Sequence, residues 1–219
     1  AEARYGLGSV FLKKHKRVEA RQSFESAVKL LSSYPDTLPN AWNNLGLIAA
    51  QDGRMMEATQ NFQQALRLNP ESVVALENLG SAYRQQKLWD QAQAAFERAL
   101  SINPESPEAN YGLAMVYAAV DDTQKTYEYL QKALHIRPDY GEALNNLGVL
   151  YMRTGRRDQA VATLQKCMHV APAFDLCYLN LARIYSLEGN PPEARTVLLE
   201  LLKQHPGHAQ AQKALADLP

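Results

Sequence analysis

The most informative stretch of this sequence covers residues 41–70 and reads AWNNLGLIAAQDGRMMEATQNFQQALRLNP. Trp42, Leu45 and Ala49 follow the spacing of one face of a helix, and Gly46 lies on the same stripe. A glycine at position 53 interrupts this pattern, and a second apolar stripe follows. It ends at the Asn-Pro pair of residues 69–70, where proline cannot continue the hydrogen-bond ladder. The stretch therefore predicts two helices joined by a tight turn.

The same features recur every 34 residues along most of the chain. The recurring residues are prolines at the unit ends (Pro70, Pro104, Pro138, Pro172, Pro206), tyrosines (Tyr83, Tyr117, Tyr151, Tyr185) and two sets of mostly small residues (Gly46, Gly80, Ala114, Gly148, Ala182; Ala58, Ala92, Thr126, Ala160, Ala194). One helical hairpin cannot bury its apolar stripes alone. The period therefore predicts hairpins that stack into a continuous core.

This pattern resembles the tetratricopeptide repeat, whose signature is matched by Trp42, Leu45-Gly46, Ala58, Phe62 and Pro70. The resemblance implies an all-α fold, a right-handed superhelical solenoid of stacked antiparallel helix pairs. It makes the chain a single array of six repeats, at residues 1–38, 39–72, 73–106, 107–140, 141–174 and 175–208. Residues 209–219 are expected to form a C-terminal capping helix, with a truncated seventh repeat as the alternative. Gly8 and Gly46 are 38 residues apart, so a polar join with extra residues is expected at 32–39.

Charge and composition exclude several classes of function. Lysine plus arginine equals aspartate plus glutamate, 23 of each, and this balance does not favour nucleic-acid binding. No apolar stretch approaches the roughly 20 residues of a membrane-spanning helix, and the N-terminus lacks a secretory pattern. The start at Ala1 without methionine suggests a fragment of a longer chain. Cys167 and Cys177 are too few for a disulfide framework and are interpreted as packing residues, so we expect a cytoplasmic protein.

No residue pattern indicates catalysis or metal binding. The sequence contains no HExxH motif, no paired CxxC and no glycine-rich phosphate loop. His135 and His169 are one repeat apart and reflect the period rather than a site. We therefore expect no enzymatic activity, no cofactor and no metal site.

In the family that this chain resembles, the first helix of each pair lines the concave face. Two residues before the first small residue the chain has Gly6, Asn44, Asn78, Gly112, Asn146 and Asn180. This row resembles the asparagine ladder in the tetratricopeptide superhelix of O-GlcNAc transferase, and amides donate and accept as an extended peptide backbone requires. The predicted peptide-binding groove consists of Asn43, Asn44, Asn78, Tyr111, Asn145, Asn146, Asn180, Arg84, Arg153 and Arg183. The alternative is a solvated helix face, because asparagine before Leu-Gly is common in this family.

Two further features refine the prediction. The lysine clamp with which chaperone-binding members hold a terminal carboxylate is excluded, because Tyr5, Asn43 and Glu77 occupy the corresponding positions. The fourth repeat departs most from the pattern, with Gly112 in the asparagine row and Asp121 in place of the turn glycine. We interpret this either as a local change of curvature that divides the groove or as neutral drift.

The predicted function is a non-catalytic scaffold that binds a protein or an extended peptide segment. One alternative is a regulatory or substrate-recruiting segment of a larger enzyme such as a glycosyltransferase. Another is a module for self-assembly. Nucleic acid and membrane insertion are not expected.

Overall fold

A computed structural model describes residues 2–30 and 38–219 of the chain. The predicted fold class is confirmed, because the described residues form an all-α repeat array and contain no strand. The helices are α1 (Glu2–Lys13), α2 (Arg17–Leu30), α3 (Leu38–Gln51), α4 (Met55–Leu68), α5 (Val73–Gln85), α6 (Trp89–Ile102), α7 (Pro107–Ala119), α8 (Thr123–Ile136), α9 (Gly141–Arg153), α10 (Arg157–Val170), α11 (Asp175–Leu187), α12 (Pro191–Gln204) and α13 (Ala209–Ala216). Residues 32–37 of the predicted join lie outside the described part of the chain, and Pro39 lies in the first turn of α3.

The chain forms two compact units, residues 1–122 and 123–219. Within the first unit each helix from α1 to α7 packs on the next, and the first helices α3, α5 and α7 also contact one another in order. Within the second unit α8 to α13 pack in the same way, and α9 contacts α11. The division falls inside the predicted fourth repeat, at the turn between its two helices.

In the first unit a phenylalanine ring packs directly on two glycines. A Cβ atom built on Gly80 of α5 would lie 2.8 Å from the ring of Phe96, and one on Gly112 of α7 would lie closer still. The Phe96 side chain is 1% exposed, so it has no free space into which it can retreat. Gly112 is therefore required for close packing, although a glycine within a helix costs about 0.5–1 kcal/mol relative to alanine.

The turn inside each repeat contains one residue in the left-handed backbone region. Three of these residues are glycines, with φ of +77° at Gly53, +73° at Gly155 and +67° at Gly189. At the equivalent turns of the other repeats His15 has φ +56°, Lys87 has φ +59° and Asp121 has φ +58°. Asp121 thus adopts the conformation of the glycine it replaces, since aspartate is one of the residues that tolerate this region.

The interpretation of the two cysteines as simple packing residues is wrong. Both are 0% exposed, as packing residues would be, but Cys167 of α10 and Cys177 of α11 form a disulfide with a Cα–Cα distance of 6.1 Å. The bond joins the second helix of the fifth repeat to the first helix of the sixth. Because disulfides persist mainly in oxidising compartments, the cysteines no longer support the expected cytoplasmic location.

The chain ends in a short helix packed on its predecessor. Helix α13 contacts α12, and Ala211 on the predicted stripe is fully buried. Leu215 and Leu218, the other members of that stripe, are half-buried. None of the helices in the described residues is long and apolar enough to cross a membrane.

Candidate functional site

All ten residues of the predicted groove lie on first helices of repeats. Five belong to the first unit: Asn43 and Asn44 on α3, Asn78 and Arg84 on α5, and Tyr111 on α7. Five belong to the second unit: Asn145, Asn146 and Arg153 on α9, and Asn180 and Arg183 on α11. Since α3 contacts α5 and α9 contacts α11, each unit brings a subset of these side chains together.

The asparagines form bridges between neighbouring first helices. In the first unit Asn78 Nδ2 donates to Asn43 Oδ1 at 3.0 Å, and in the second unit Asn180 Nδ2 donates to Asn145 Oδ1 at 2.7 Å. Both pairs are 35 residues apart, one repeat plus one residue. One role of the row is therefore to fix adjacent helices, and Asn145, only 6% exposed, is mainly structural.

Some side-chain amide atoms of the asparagine row make no hydrogen bond with the described residues. The Oδ1 atoms of Asn78 and Asn180 accept no hydrogen bond from the described residues, and Asn44, half-buried, makes none with them. Asn146 differs, because its Nδ2 donates to the Glu142 carbonyl oxygen of its own helix at 2.8 Å. The first unit thus has an unused acceptor oxygen at Asn78 and an unbonded side-chain amide at Asn44, and the second unit has an unused acceptor oxygen at Asn180.

An apolar cavity of about 310 Å³ lies between α9 and α11 in the second unit. It is lined by Val149, Met152, Arg153, Leu164, Asn180, Arg183, Ile184 and Leu187. The lining contains two arginines and no carboxylate. Arg183 is exposed and forms no ion pair with any residue that the structure describes.

The sequence prediction found only part of this cavity. It named Arg153, Asn180 and Arg183 but missed the five apolar lining residues, among them Met152 and Leu187. The signal that could have found these two is helical spacing, because Met152 is three residues after Val149 and Leu187 is four residues after Arg183.

A second cavity in the same unit, of about 550 Å³, lies at the C-terminal end. Its lining residues come mainly from α11 and from the residues of α13 and beyond, including Ser186, Gln210 and Ala214. Asn180 and Arg183 line this cavity as well as the first one. Arg183 therefore stands on the ridge between two cavities.

The titratable group with a shifted pKa on α9, the phenol of Tyr151, is buried and packs within the second unit. Tyr151 of α9 is 6% exposed, and its burial, with a hydrogen bond to Tyr127 as the next cause, raises the pKa of its phenol. The guanidinium of Arg156 lies 5.9 Å from both tyrosine ring centres. A phenol held protonated in this way packs as a neutral side chain. Within the described ranges, no group of histidine, cysteine, aspartate and glutamate side chains could hold a metal ion.

Comparison with known families identifies the repeat unit. Family models of the tetratricopeptide repeat match residues 37–105, 118–172 and 159–218. Together these ranges include most of the helices described above. No curated protein sequence matches this one.

Solved structures share the architecture at low sequence identity. The chain is similar to the structure of the APC/C hetero-tetramer Cut9–Hcn1, with a TM-score of 0.81 and 21% identity over 97% of this chain and 41% of that one. The chain thus spans less than half the length of that relative. It is also similar to pilF of Pseudomonas aeruginosa, with a TM-score of 0.78 and 17% identity over 99% of this chain and 96% of that one.

A third similar structure is YrrB, which is described as a protein of this repeat class with an unusual peptide-binding site. The TM-score is 0.58, with 21% identity over 89% of this chain and 98% of YrrB. At such identities the similarity establishes the fold alone.

Proposed function

The chain belongs to the tetratricopeptide repeat family, and from that premise we propose that it is a non-catalytic scaffold that binds an extended segment of another protein. The segment lies on the first helices of a unit. One observation carries the proposal: bridged asparagines in both units keep unused acceptor oxygens on these helices.

The chemistry of an extended peptide fits this surface. Its backbone N–H groups need acceptors at regular intervals, and its side chains need alternating pockets. Asn78 and Asn180 provide the acceptors, while the cavity beside Asn180 provides one pocket. The peptide-binding site of YrrB supports the compatibility of this fold with such a ligand.

The partner is expected to be protein rather than nucleic acid. With 23 basic and 23 acidic residues the chain has no surplus of positive charge for phosphates. Recruitment of a substrate to a larger enzyme would use the same surface and is compatible with the proposal. Self-assembly is the competing function, and sedimentation over a concentration series distinguishes it because only self-assembly makes the mass depend on concentration.

The test is a selection of peptides from a random library on the purified chain, followed by titration calorimetry and hydrogen exchange with the selected peptides. We expect protection on the first helices and weaker binding by Asn44→Ala to peptides that lie on α3. Gln60→Ala is the matched control, because Gln60 is an exposed amide on the second helix α4. Peptide-dependent protection from hydrogen exchange that is confined to the second helices would contradict the proposal.

A further inference from the structure

We propose that the cavity between α9 and α11 selects a segment in which a large apolar side chain is followed by an acidic side chain. This inference deepens the proposed function and rests on it. It concerns one unit only and assigns the chemistry of the partner.

The apolar part of the site comes from both first helices. Val149 and Met152 line the cavity from α9, and Ile184 and Leu187 line it from α11. Leu187 is 66% exposed at the lip, where an incoming side chain would cover it. A volume of about 310 Å³ accommodates one bulky apolar side chain, and its burial removes apolar surface from water.

The charged part of the site is the guanidinium of Arg183, which forms no ion pair with a carboxylate of the described residues. Arg183 lines the cavity, is exposed and pairs with no acidic group of the described chain. Arg153 also lines the cavity but already has a partner within the chain, so the proposed carboxylate contact is assigned to Arg183. Arginine binds carboxylates through two parallel hydrogen bonds, so the vacancy beside the apolar cavity favours aspartate or glutamate in the partner.

The amide part anchors the backbone of the bound segment. Asn180 is held by its bond to Asn145, and its own Oδ1 remains free to accept a backbone N–H. Asn180 also lines the cavity, three residues before Arg183. An extended segment that donates to Asn180 can therefore place one side chain in the cavity and the side chain two residues later near Arg183, because alternate side chains of an extended chain share one face.

The first unit supplies an internal comparison. Its helices α3 and α5 have the same bridge, between Asn43 and Asn78. Three repeats before Arg183 the chain has Ser81, and three repeats before Leu187 it has Gln85. The bridge is thus shared, whereas the cation and the apolar lip belong to the second unit. Because the bridge is the same and the residues beside it differ, we infer that the preference for an apolar and acidic segment belongs to α9 and α11 alone.

The experiment is methyl NMR of the whole chain titrated with the blocked peptide SGLDDGS. We expect shifts of the Val149, Ile184 and Leu187 methyl signals. The peptide SGADDGS should bind at least about tenfold more weakly, because it lacks the apolar side chain. The peptide SGLKKGS should also bind at least about tenfold more weakly, because it lacks the carboxylates.

Variants separate charge from folding. Arg183→Gln should weaken SGLDDGS about tenfold and remove its advantage over SGLKKGS. Arg183→Glu should reverse the preference, so that SGLKKGS binds better. Arg67→Gln is the matched control, since Arg67 is exposed on the second helix α4 and does not line this cavity, and it should leave the titration unchanged.

Several outcomes would overturn the inference. Equal binding of the three peptides would show that the cavity has no preference for an apolar and acidic segment. The proposed function would then still be tested separately by the peptides selected from the library. Shifts only at Leu47 of α3 would place the site in the first unit. Tighter binding of SGSGL with a free C-terminus would assign Arg183 to a terminal carboxylate. Concentration-dependent shifts without peptide would assign the cavity to a second copy of the chain.

Discussion

Asn180 donates its side-chain amide to Asn145 across two helices that belong to successive repeats, at 2.7 Å. The same bond joins Asn78 to Asn43 in the other unit, at 3.0 Å. A residue type that marks the predicted binding face therefore also joins neighbouring first helices within each unit. Substitutions of the bridged asparagines are consequently expected to affect stability as well as the proposed binding.

Loss of the buried bridge should destabilise the chain. Asn145→Ala leaves the Asn180 amide without its acceptor, and we expect the free energy of unfolding to fall by about 1–2 kcal/mol. Urea denaturation followed by circular dichroism measures the change. Asn44→Ala is the control, because Asn44 makes no hydrogen bond with the described residues, and its unfolding curve should match that of the wild type. Equal loss in both variants would show that the bridge is not the cause.

A methyl group at position 112 should also destabilise the chain. Gly112→Ala forces the Phe96 ring to move, and overpacking of this kind costs about 1–3 kcal/mol. Gly6→Ala is the matched control, since no heavy atom lies within 4 Å of the added Cβ in this helix. It should raise stability by about 0.5–1 kcal/mol through helix propensity. Thermal melts of the two variants should shift in opposite directions.

Glycine at one turn should stabilise the chain. Lys87 has φ +59°, a conformation that costs a lysine more than a glycine, so Lys87→Gly should raise stability by up to about 1 kcal/mol. For a chain of this size that gain corresponds to about 2–4 °C in the melting temperature. The reverse change, Gly155→Lys, should lower the melting temperature by a similar amount. A melting temperature of Lys87→Gly below that of the wild type would contradict this reasoning.

The disulfide should contribute to stability in the oxidised chain only. Cys167 and Cys177 are 10 residues apart, and closing a loop of that size stabilises by about 2–3 kcal/mol. Denaturation with and without dithiothreitol measures the effect, and mass spectrometry of alkylated samples confirms the state of the bond. The double variant Cys167→Ala, Cys177→Ala should respond little to the reductant. A wild type with the same insensitivity would show that the bond contributes nothing.

The sequence predicted the fold because the repeat is encoded locally. The ladders of Gly46, Ala58 and Pro70 place a helix, a turn and a second helix in every period, and the structure has each of them in the part of the chain that it describes. The sequence showed that glycine interrupts the asparagine row at position 112, but it did not show why glycine is needed there. That reason is the Phe96 ring of the preceding repeat, and a contact between repeats has no signature in a single helix.

The sequence predicted which residues share the groove face, but it did not predict the hydrogen bonds between the asparagines on that face. Asn145 and Asn180 differ by 35 residues, so their bridge depends on the offset between stacked helices rather than on the period of 34. The disulfide was missed for a related reason, because Cys167 and Cys177 approach only when α10 and α11 pack. Peptide binding by the ten groove residues stays a prediction.

The bridge that both units contain gives the proposed recognition the same underlying helix contact in each unit. Ser81 occupies in α5 the place that Arg183 has in α11, next to an identically bonded asparagine. Ser81→Arg together with Gln85→Leu should therefore give the first unit the preference that we propose for the second, while the bridge between Asn43 and Asn78 stays in place. On this proposal the partner of a unit is determined by two positions of one first helix, so substitutions at those positions change the partner and leave the bridged asparagines in place.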